Sequence, residues 1–471
     1  MTRHRLLVCA VAALLTALTY LVFPGHTYLQ QDTQIYVPMM EKLANPSLFA
    51  RDLLVSRPHM AWTVYDEVTL ALGRVMSLEA ALTVQQLVFR WLGIIGVCLI
   101  GTSMNFTRRY ALFVAALFSL GAMIVGPQVL TLEYEPVPRG FAIGLVLFAL
   151  GLLLEGFPGW AGVVGAVGML YQLPTTVPFW VVWGVLGWRR WRRDWWAPAI
   201  GMAVLFAFSR LQPGVVERQP LFGTISPALE QLQRMRASYN WVSLWPGRVW
   251  LHYPVMLAIA IGAMVRLRRR LTAAHRIVFG GLLAVAVLSI PVSYLSLEVV
   301  KWSAMPQFQP ARGVLWITAL AVILSAFAAM QAAYDRHYQE AFAWLLPAFI
   351  VPVHQMITPN PAYALHEAVL IVTLAAAATG ALAVHVISPR RAATALAMTA
   401  LVAFFAIPLL GGVRNYPALW TSEIVDLARW AKTQTDRDAV FHFDGAGKDL
   451  SPGLFRAEAR RAVYVEWKTG G

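Results

Sequence analysis

Apolar runs long enough to cross a bilayer recur along this chain, and no other feature constrains its fold as much. A membrane helix needs about 20 predominantly apolar residues to cover a hydrocarbon core about 30 Å thick. Such runs fall at 5–23, 84–103, 110–130, 138–155, 158–172, 174–188, 195–210, 249–265, 276–295, 313–332, 341–356, 366–387 and 392–411. That gives about thirteen spans. Of 471 residues, 58% are hydrophobic and 13% charged, with a mean hydropathy of +0.59. A soluble globular chain carries roughly 45–50% apolar and about 25% charged residues. Soluble enzyme, disordered chain, coiled coil and secreted disulfide scaffold are therefore excluded. Cys9 and Cys98 both sit in apolar runs, so neither a disulfide framework nor a thiolate metal site is supported.

The net charge of +14 reads as topology and not as a nucleic-acid footprint. Basic residues cluster in short loops: Arg3 and Arg5, Arg108 and Arg109, Arg189 to Arg193, Arg266 to Arg276, Arg336, and Arg390 with Arg391. All fall on one side when 158–172 and 174–188 count as two crossings, and the positive-inside rule makes that side cytoplasmic. The first run starts basic but ends in LVFPGHTYLQ without a small-residue cleavage site, and reads as a retained anchor. The expected fold is an all-α polytopic membrane protein, N-in and C-out, with outer-face juxtamembrane helices and a small C-terminal α/β extracytoplasmic appendage. A transmembrane body covers 1–411, with outer loops at 24–83 and 211–248, and a tail covers 412–471.

The non-membrane residues are invested on the outer face, where loops carry chemistry more often than scaffold does. In TQIYVPMMEKL, Ile35, Met39, Met40 and Leu43 share a helix face, and the NPS at 45–47 stops it. In 60–80, Trp62, Val64, Val68, Leu72 and Val75 form an apolar stripe against Asp66, Glu67 and Arg74. SPALEQLQRMRASY opens with a Ser-Pro start signal. In the tail, TSEIVDLARWAKTQ reads as a helix with Ser422 as its cap, DAVFHFD as a strand, and SPGLFRAEARRAVYVEWK as a helix followed by a strand.

Polar residues at the outer ends of spans are the candidate site, because charges near hydrocarbon are costly and persist where they serve function. Asp32 follows the first span and reads equally as a general base toward an acceptor hydroxyl or as a helix N-cap. Glu133, Glu135 and Arg139 in LEYEPVPRGFA place two acids and a phosphate-binding cation within seven residues. Gln172 lies at a Pro-flanked break in YQLPTTVPF, where a plain turn is the simpler reading. Gln309 and Arg312 in QFQPARGVL open a span; Arg312 has no acid nearby in sequence, and a phosphate suits its fork. Arg456, Arg460, Arg461 and Lys468 form a basic cluster that reads as a diphosphate site or a solvated helix face. His354, His366 and His385 show no metal-ligand spacing.

QDTQIYVPMMEKLANPSLFARD resembles the first outer loop of the GT-C class of multi-spanning bacterial glycosyltransferases. The matching elements are Asp32, Tyr36 to Pro38, Pro46 to Phe49, and Asp52. YEPVPRGFA, YQLPTTVPF (with Gln172 where a His often stands), QFQPARGVL and the tail FRAEARRAVYVEWK resemble further elements of the class. The resemblance implies an inverting transfer of sugar from a polyprenyl-phosphate carrier to a glycan, lipid or protein acceptor, with the lipid bilayer as the other partner. The site would lie on the extracytoplasmic face of a bacterial inner membrane. Asp32 would be the base, and Arg139 and Arg312 would hold the carrier phosphate. No cofactor is certain. A divalent cation stays open, since many GT-C loops carry two adjacent acids and Asp32 has no acidic neighbour. The alternatives are a transporter or flippase of lipid-linked intermediates, or an envelope polysaccharide polymerase or ligase. No half-repeat of the transporter kind is visible.

Overall fold

The structure, a computed structural model, describes residues 3–22, 24–56, 60, 62–124, 126–188, 195–211, 222–247, 249–350 and 420–468. The expected spans 366–387 and 392–411, the three histidines His354, His366 and His385, and the basic loops at 189–193 and 390–391 lie outside them. Along the chain, α1 (Arg3–Leu21) leads to two loop helices, α2 (Thr33–Ala44) and α3 (Tyr65–Leu72). There follow α4 (Leu78–Ser103), α5 (Arg108–Phe118), a hairpin of β1 (Met123–Ile124) and β2 (Val129–Leu130), α6 (Pro138–Leu154), α7 (Pro158–Tyr171), α8 (Leu173–Gly187) and α9 (Trp196–Leu211). α10 (Pro227–Arg236) is another loop helix. Then come α11 (Val249–Arg266), α12 (Ala273–Ser293), α13 (Met305–Phe308), α14 (Leu315–Tyr334) and α15 (Tyr338–Ile350). The tail carries α16 (Ser422–Gln434), β3 (Val440–Phe441), α17 (Ser451–Ala459) and β4 (Ala462–Val463).

The chain is mostly helical and multi-pass. Among the described residues, four helices are long and apolar enough to cross a membrane: Leu78–Ser103, Val249–Arg266, Ala273–Val299 and Met305–Tyr334. Shorter apolar helices cover Leu6–Leu21, Pro138–Leu154, Leu173–Gly187 and Trp196–Arg210. The expected span 110–130 is not one helix. α5 ends at Phe118, Gly121 turns the chain at φ +78°, and the antiparallel hairpin follows around Gly126 at φ +97°. Eleven helical residues reach only about 16 Å, half of a hydrocarbon core.

Two helix contacts position the rest. α4 and α6 cross at backbone distance because glycines face each other. A Cβ on Gly96 would sit 2.4 Å from the carbonyl of Leu147, and one on Gly144 2.2 Å from that of Phe89. Small residues at such a crossing replace the hydrophobic drive that lipid cannot supply. α14, apolar and small all round, is buried along nearly its whole length, as such a sequence demands.

Over one end of this body lies a loop layer with its own core. Val37 and Met40 of α2, Phe49, Val55, Tyr65 and Leu82 meet Phe141 and Leu145 of α6, Tyr171 of α7, and Leu454 and Ala457 of the tail. α2 stops at Asn45, as the NPS predicts. α3 departs from the expected stripe: Asp66 is buried beside Tyr65 and Thr69, while Val75 is exposed. The tail helix is capped by Thr421, whose side chain accepts from the Ile424 amide, and not by Ser422. The tail's strands are two residues each and pair in parallel, Val440 with Ala462 and Phe441 with Val463.

Candidate active site

Asp32 stands at the start of α2, but its side chain makes no cap hydrogen bond. Of the two readings of this residue, the structure rejects side-chain capping. Its carboxylate is instead held between two cations. Arg139 Nη1 donates to Oδ2 at 2.6 Å, and Lys468 Nζ donates to Oδ1 at 3.0 Å.

Each partner has a reason to be there. Pro138 opens α6 at a position where its missing N–H costs nothing. This puts Arg139 in the first helical turn, where the helix dipole disfavours a cation. Acids must compensate, and they do: Arg139 Nε donates to Glu133 Oε1 at 2.6 Å while Nη1 reaches Asp32. Glu135 faces the other way. Its carboxylate accepts the backbone N–H groups of Gln30, Gln31 and Asp32 at 3.0, 2.7 and 3.0 Å, and the Thr33 hydroxyl at 2.6 Å. Glu135 therefore shapes the turn that presents Asp32. It is fully enclosed by these donors and offers nothing outward.

Arg312 arrives from the other side. Gln309 adopts a left-handed backbone, φ 44° and ψ 60°, which ends α13 and starts the 3-10 turn Pro310–Val314. Arg312 and Arg139 line one cavity with Thr175, Pro178 and Trp316. It holds about 20 Å³, room for little more than one water. The buried Nε of Arg312 has no hydrogen-bond partner among the described residues, nor has the buried Oε1 of Gln309. Gln172 joins α7 to α8 and accepts from the Thr175 hydroxyl at 2.6 Å. It thus sets a cavity-lining residue without lining the cavity itself. Asp32, Arg139, Glu133, Glu135 and Arg312 converge; Gln172 and Gln309 stand one step behind them.

The charges on Asp32 dominate its chemistry. Burial works to raise its pKa, but the Arg139 and Lys468 charges, with their hydrogen bonds, outweigh it and hold the carboxyl well below the usual carboxylate range. Tyr36 is pushed up by burial and then by the Asp32 charge, and stays neutral. Glu135 is raised by burial first and by Asp32 next, against the hydrogen bonds of Thr33 and Gln31. A divalent cation does not fit this set of groups. Both Asp32 oxygens are taken by cationic side chains and Glu135 by amide donors. Among the described residues, no group of three or more His, Cys, Asp and Glu side chains could hold a metal ion.

Three residues important to this geometry were missed or misread in sequence. Lys468 looked like part of a solvated cluster. Arg456 of that cluster is wholly buried, its Nε donating to Asp52 Oδ2 at 2.7 Å and its Nη1 to Glu466 Oε1 at 2.9 Å. It is neither a solvated face nor a diphosphate site. Arg90, inside the apolar α4, donates to the carbonyls of Gly25 and Glu133 at 3.4 and 2.8 Å. Its signal was plain: a lone arginine in a membrane-length run marks a site by default.

The architecture is thus a multi-pass helical body with loop helices and an appended tail over one end. Among solved structures, the chain is similar to the crystal structure of ArnT from Cupriavidus metallidurans in the apo state. The TM-score is 0.51 at 14% identity, covering 97% of this chain and 84% of that one. At that identity the likeness shows the fold. No protein-family model matches the chain, and no curated protein sequence matches it.

Proposed function

We propose that the protein is an inverting glycosyltransferase that moves a sugar from a polyprenyl-phosphate carrier to an acceptor hydroxyl on the extracytoplasmic face of a bacterial inner membrane. The observation that carries this reading is that Arg139, which pairs with the Asp32 carboxylate, lines one cavity with Arg312, whose buried Nε–H has no partner among the described residues. A buried guanidinium N–H without an acceptor is costly, and a phosphate oxygen is the acceptor its fork matches. The fold shared with ArnT, a GT-C family 4-amino-4-deoxy-L-arabinose transferase, supports the same class. The body over 1–411 would supply the carrier site, and the tail over 412–471 would close it.

In this mechanism the acceptor hydroxyl oxygen forms a bond to the anomeric carbon from the face opposite the phosphate. Its proton passes to Asp32. The bond from the anomeric carbon to the phosphate oxygen breaks, and its electron pair leaves with the polyprenyl phosphate. Arg139 and Arg312 stabilise the charge that develops there, a contribution of several kcal/mol when donors are preorganised.

The test uses the full chain in nanodiscs with a set of polyprenyl-phosphate pentoses, hexoses and aminopentoses, and follows release of polyprenyl phosphate by mass spectrometry. Wild type should consume one of them with an acceptor present, and folded Asp32→Asn should not. Full transfer by Asp32→Asn removes Asp32 as the base. Binding or translocation of the carriers without any transfer rejects the transferase reading in favour of a flippase.

A further inference from the structure

The closed site poses a physical problem. Both oxygens of Asp32 are engaged, and the cavity between the arginines is about 20 Å³, far below the roughly 300 Å³ and upward of a ligand pocket. Each Asp32 oxygen keeps acceptor capacity, but with both cations in place the carboxylate is a weak base; to take a proton from a hydroxyl, the hold of one of them must weaken.

The two cations are not equally free to let go. Arg139 is built into the first turn of α6 and is also tied to Glu133 at 2.6 Å. Lys468 sits at the end of the tail, and among the described residues its ammonium meets one acceptor, Oδ1 of Asp32. Its backbone, in contrast, is fixed from three directions. Arg236 of α10 donates to the carbonyls of Trp467 and Lys468 at 3.0 and 2.6 Å. Glu466 accepts the Lys468 amide at 2.7 Å, and the same carboxylate is held by buried Arg456. Lys448 lies over the Trp467 ring at 5.0 Å. An ammonium on a flexible stem over an anchored backbone can swing between acceptors; a guanidinium held in a fork cannot.

We infer that Lys468 is a transferable cation, which covers Oδ1 of Asp32 while the site is closed and moves to the phosphate of an arriving polyprenyl-phosphate donor. This inference rests on the transferase reading above. The exchange makes donor binding and exposure of the base one event. The phosphate takes the ammonium, Oδ1 becomes free to accept the acceptor's proton, and loss of a neighbouring positive charge makes Asp32 a stronger base. Without donor Asp32 stays paired with both cations and weakly basic. The charged and titratable groups around Asp32 that accompany this change are Arg139, Arg312, Glu135, Tyr36 and Tyr134.

The experiment measures binding of decaprenyl phosphate, the carrier without its sugar, to the full chain in nanodiscs, for wild type, Lys468→Met and Lys468→Arg. It is paired with the pH profile of kcat/KM for whichever sugar donor of the set above the wild type consumes. Losing one charge-assisted hydrogen bond should weaken decaprenyl phosphate binding in Lys468→Met by on the order of tenfold, and Lys468→Arg should recover most of it. The acid limb of the profile should move to higher pH in Lys468→Met, because removing a cation raises the pKa of Asp32. A tail that merely props up the fold would lower activity without moving the limb. If wild type binds and Lys468→Met binds equally with an unmoved limb, the exchange is refuted and the transferase reading stands. If wild type binds no decaprenyl phosphate, the carrier site itself is refuted and the exchange falls with it.

Discussion

Removing Arg456 should undock the tail from the first loop. The guanidinium lies between Asp52 and Glu466, and all three side chains are 0–1% exposed. Truncating one member of a buried ionic set costs about 3–5 kcal/mol, because the charges left behind keep their burial and lose their partner. The lower end applies, since Asp52 would still accept the amides of Leu54, Val55 and Val463. About 3 kcal/mol is roughly a 150-fold rise in the opening constant. Hydrogen–deuterium exchange of Arg456→Ala in nanodiscs should therefore speed amide exchange across 451–463 by about two orders of magnitude, with the membrane body unchanged. Arg460→Asn is the control. Its pair with Glu41 is half-exposed on the arginine side, and such pairs contribute 0–1 kcal/mol. Asparagine also tolerates the left-handed backbone at φ 52°. Exchange in Arg456→Ala within threefold of wild type, or no larger than in Arg460→Asn, refutes the reasoning.

Three further outcomes follow from the same geometry. Asp32 has its folded pKa depressed below the ordinary 3.8, so its ion pairs stabilise the protein fully above that value, and the contribution is lost as pH falls from there through the depressed folded value. The melting-temperature gap between wild type and Asp32→Asn should be flat from pH 8 to about 5 and shrink only below about 4; a gap that changes near neutrality contradicts the assignment. Glu135→Gln keeps one oxygen for the donors on Oε1 but sets an NH2 group against at least the Asp32 amide, which bonds Oε2, so it should destabilise the loop by about 1–3 kcal/mol, seen as faster exchange at 29–36. Gly144→Ala would drive a Cβ to 2.2 Å from the Phe89 carbonyl and should cost about 1–3 kcal/mol by overpacking, read in the detergent melting temperature, whereas Gly184→Ala, with open space around it, should cost nothing measurable.

Much of the fold was legible because membrane helices announce themselves by local composition. The runs at 138–155 and 313–332 coincide with α6 and α14 to within a turn, and the run at 84–103 lies inside α4, which starts six residues earlier. Hydropathy failed at 110–130, where apolarity continues through Gly121 and Gly126 but the backbone does not stay helical. A hydropathy sum cannot distinguish a span from a short helix followed by a buried hairpin. The site was legible to the extent that Asp32, Glu133, Glu135, Arg139 and Arg312 all stand at the ends of apolar runs. Their partners were not. Lys468 lies 436 residues from Asp32, and Arg456 lies 404 residues from Asp52, and no local pattern reports contacts of that range. The error over Arg456 is instructive. A basic residue on an amphipathic helix is usually solvated, and its pairing with both Asp52 and Glu466 makes the burial of Arg456 tolerable.

The arrangement of acids also explains why Asp32, and not its neighbours, is suited to exchange a proton. Glu133 is pinned to Arg139 and to the Leu130 amide, and Glu135 is filled by four donors; neither can turn toward a substrate without dismantling the turn that forms the site. Asp32 keeps 24% of its side chain exposed, and in the proposed exchange its Lys468 partner passes to a phosphate. Its basicity is therefore a property of what else is bound. With both cations in place it is a weak base, and each positive charge shared with an incoming phosphate raises its affinity for a proton. A carboxylate whose basicity rises as donor arrives needs no permanent desolvation to reach a useful pKa. This reconciles a strongly depressed resting value with a role in proton transfer. Under the proposed exchange the tail takes part in the catalytic cycle through Glu466 and Lys468. A chain shortened before Glu466 should therefore keep its helical body, with far-ultraviolet circular dichroism close to wild type, and lose donor-dependent transfer. Full transfer by such a chain would show that Asp32 does not depend on the tail.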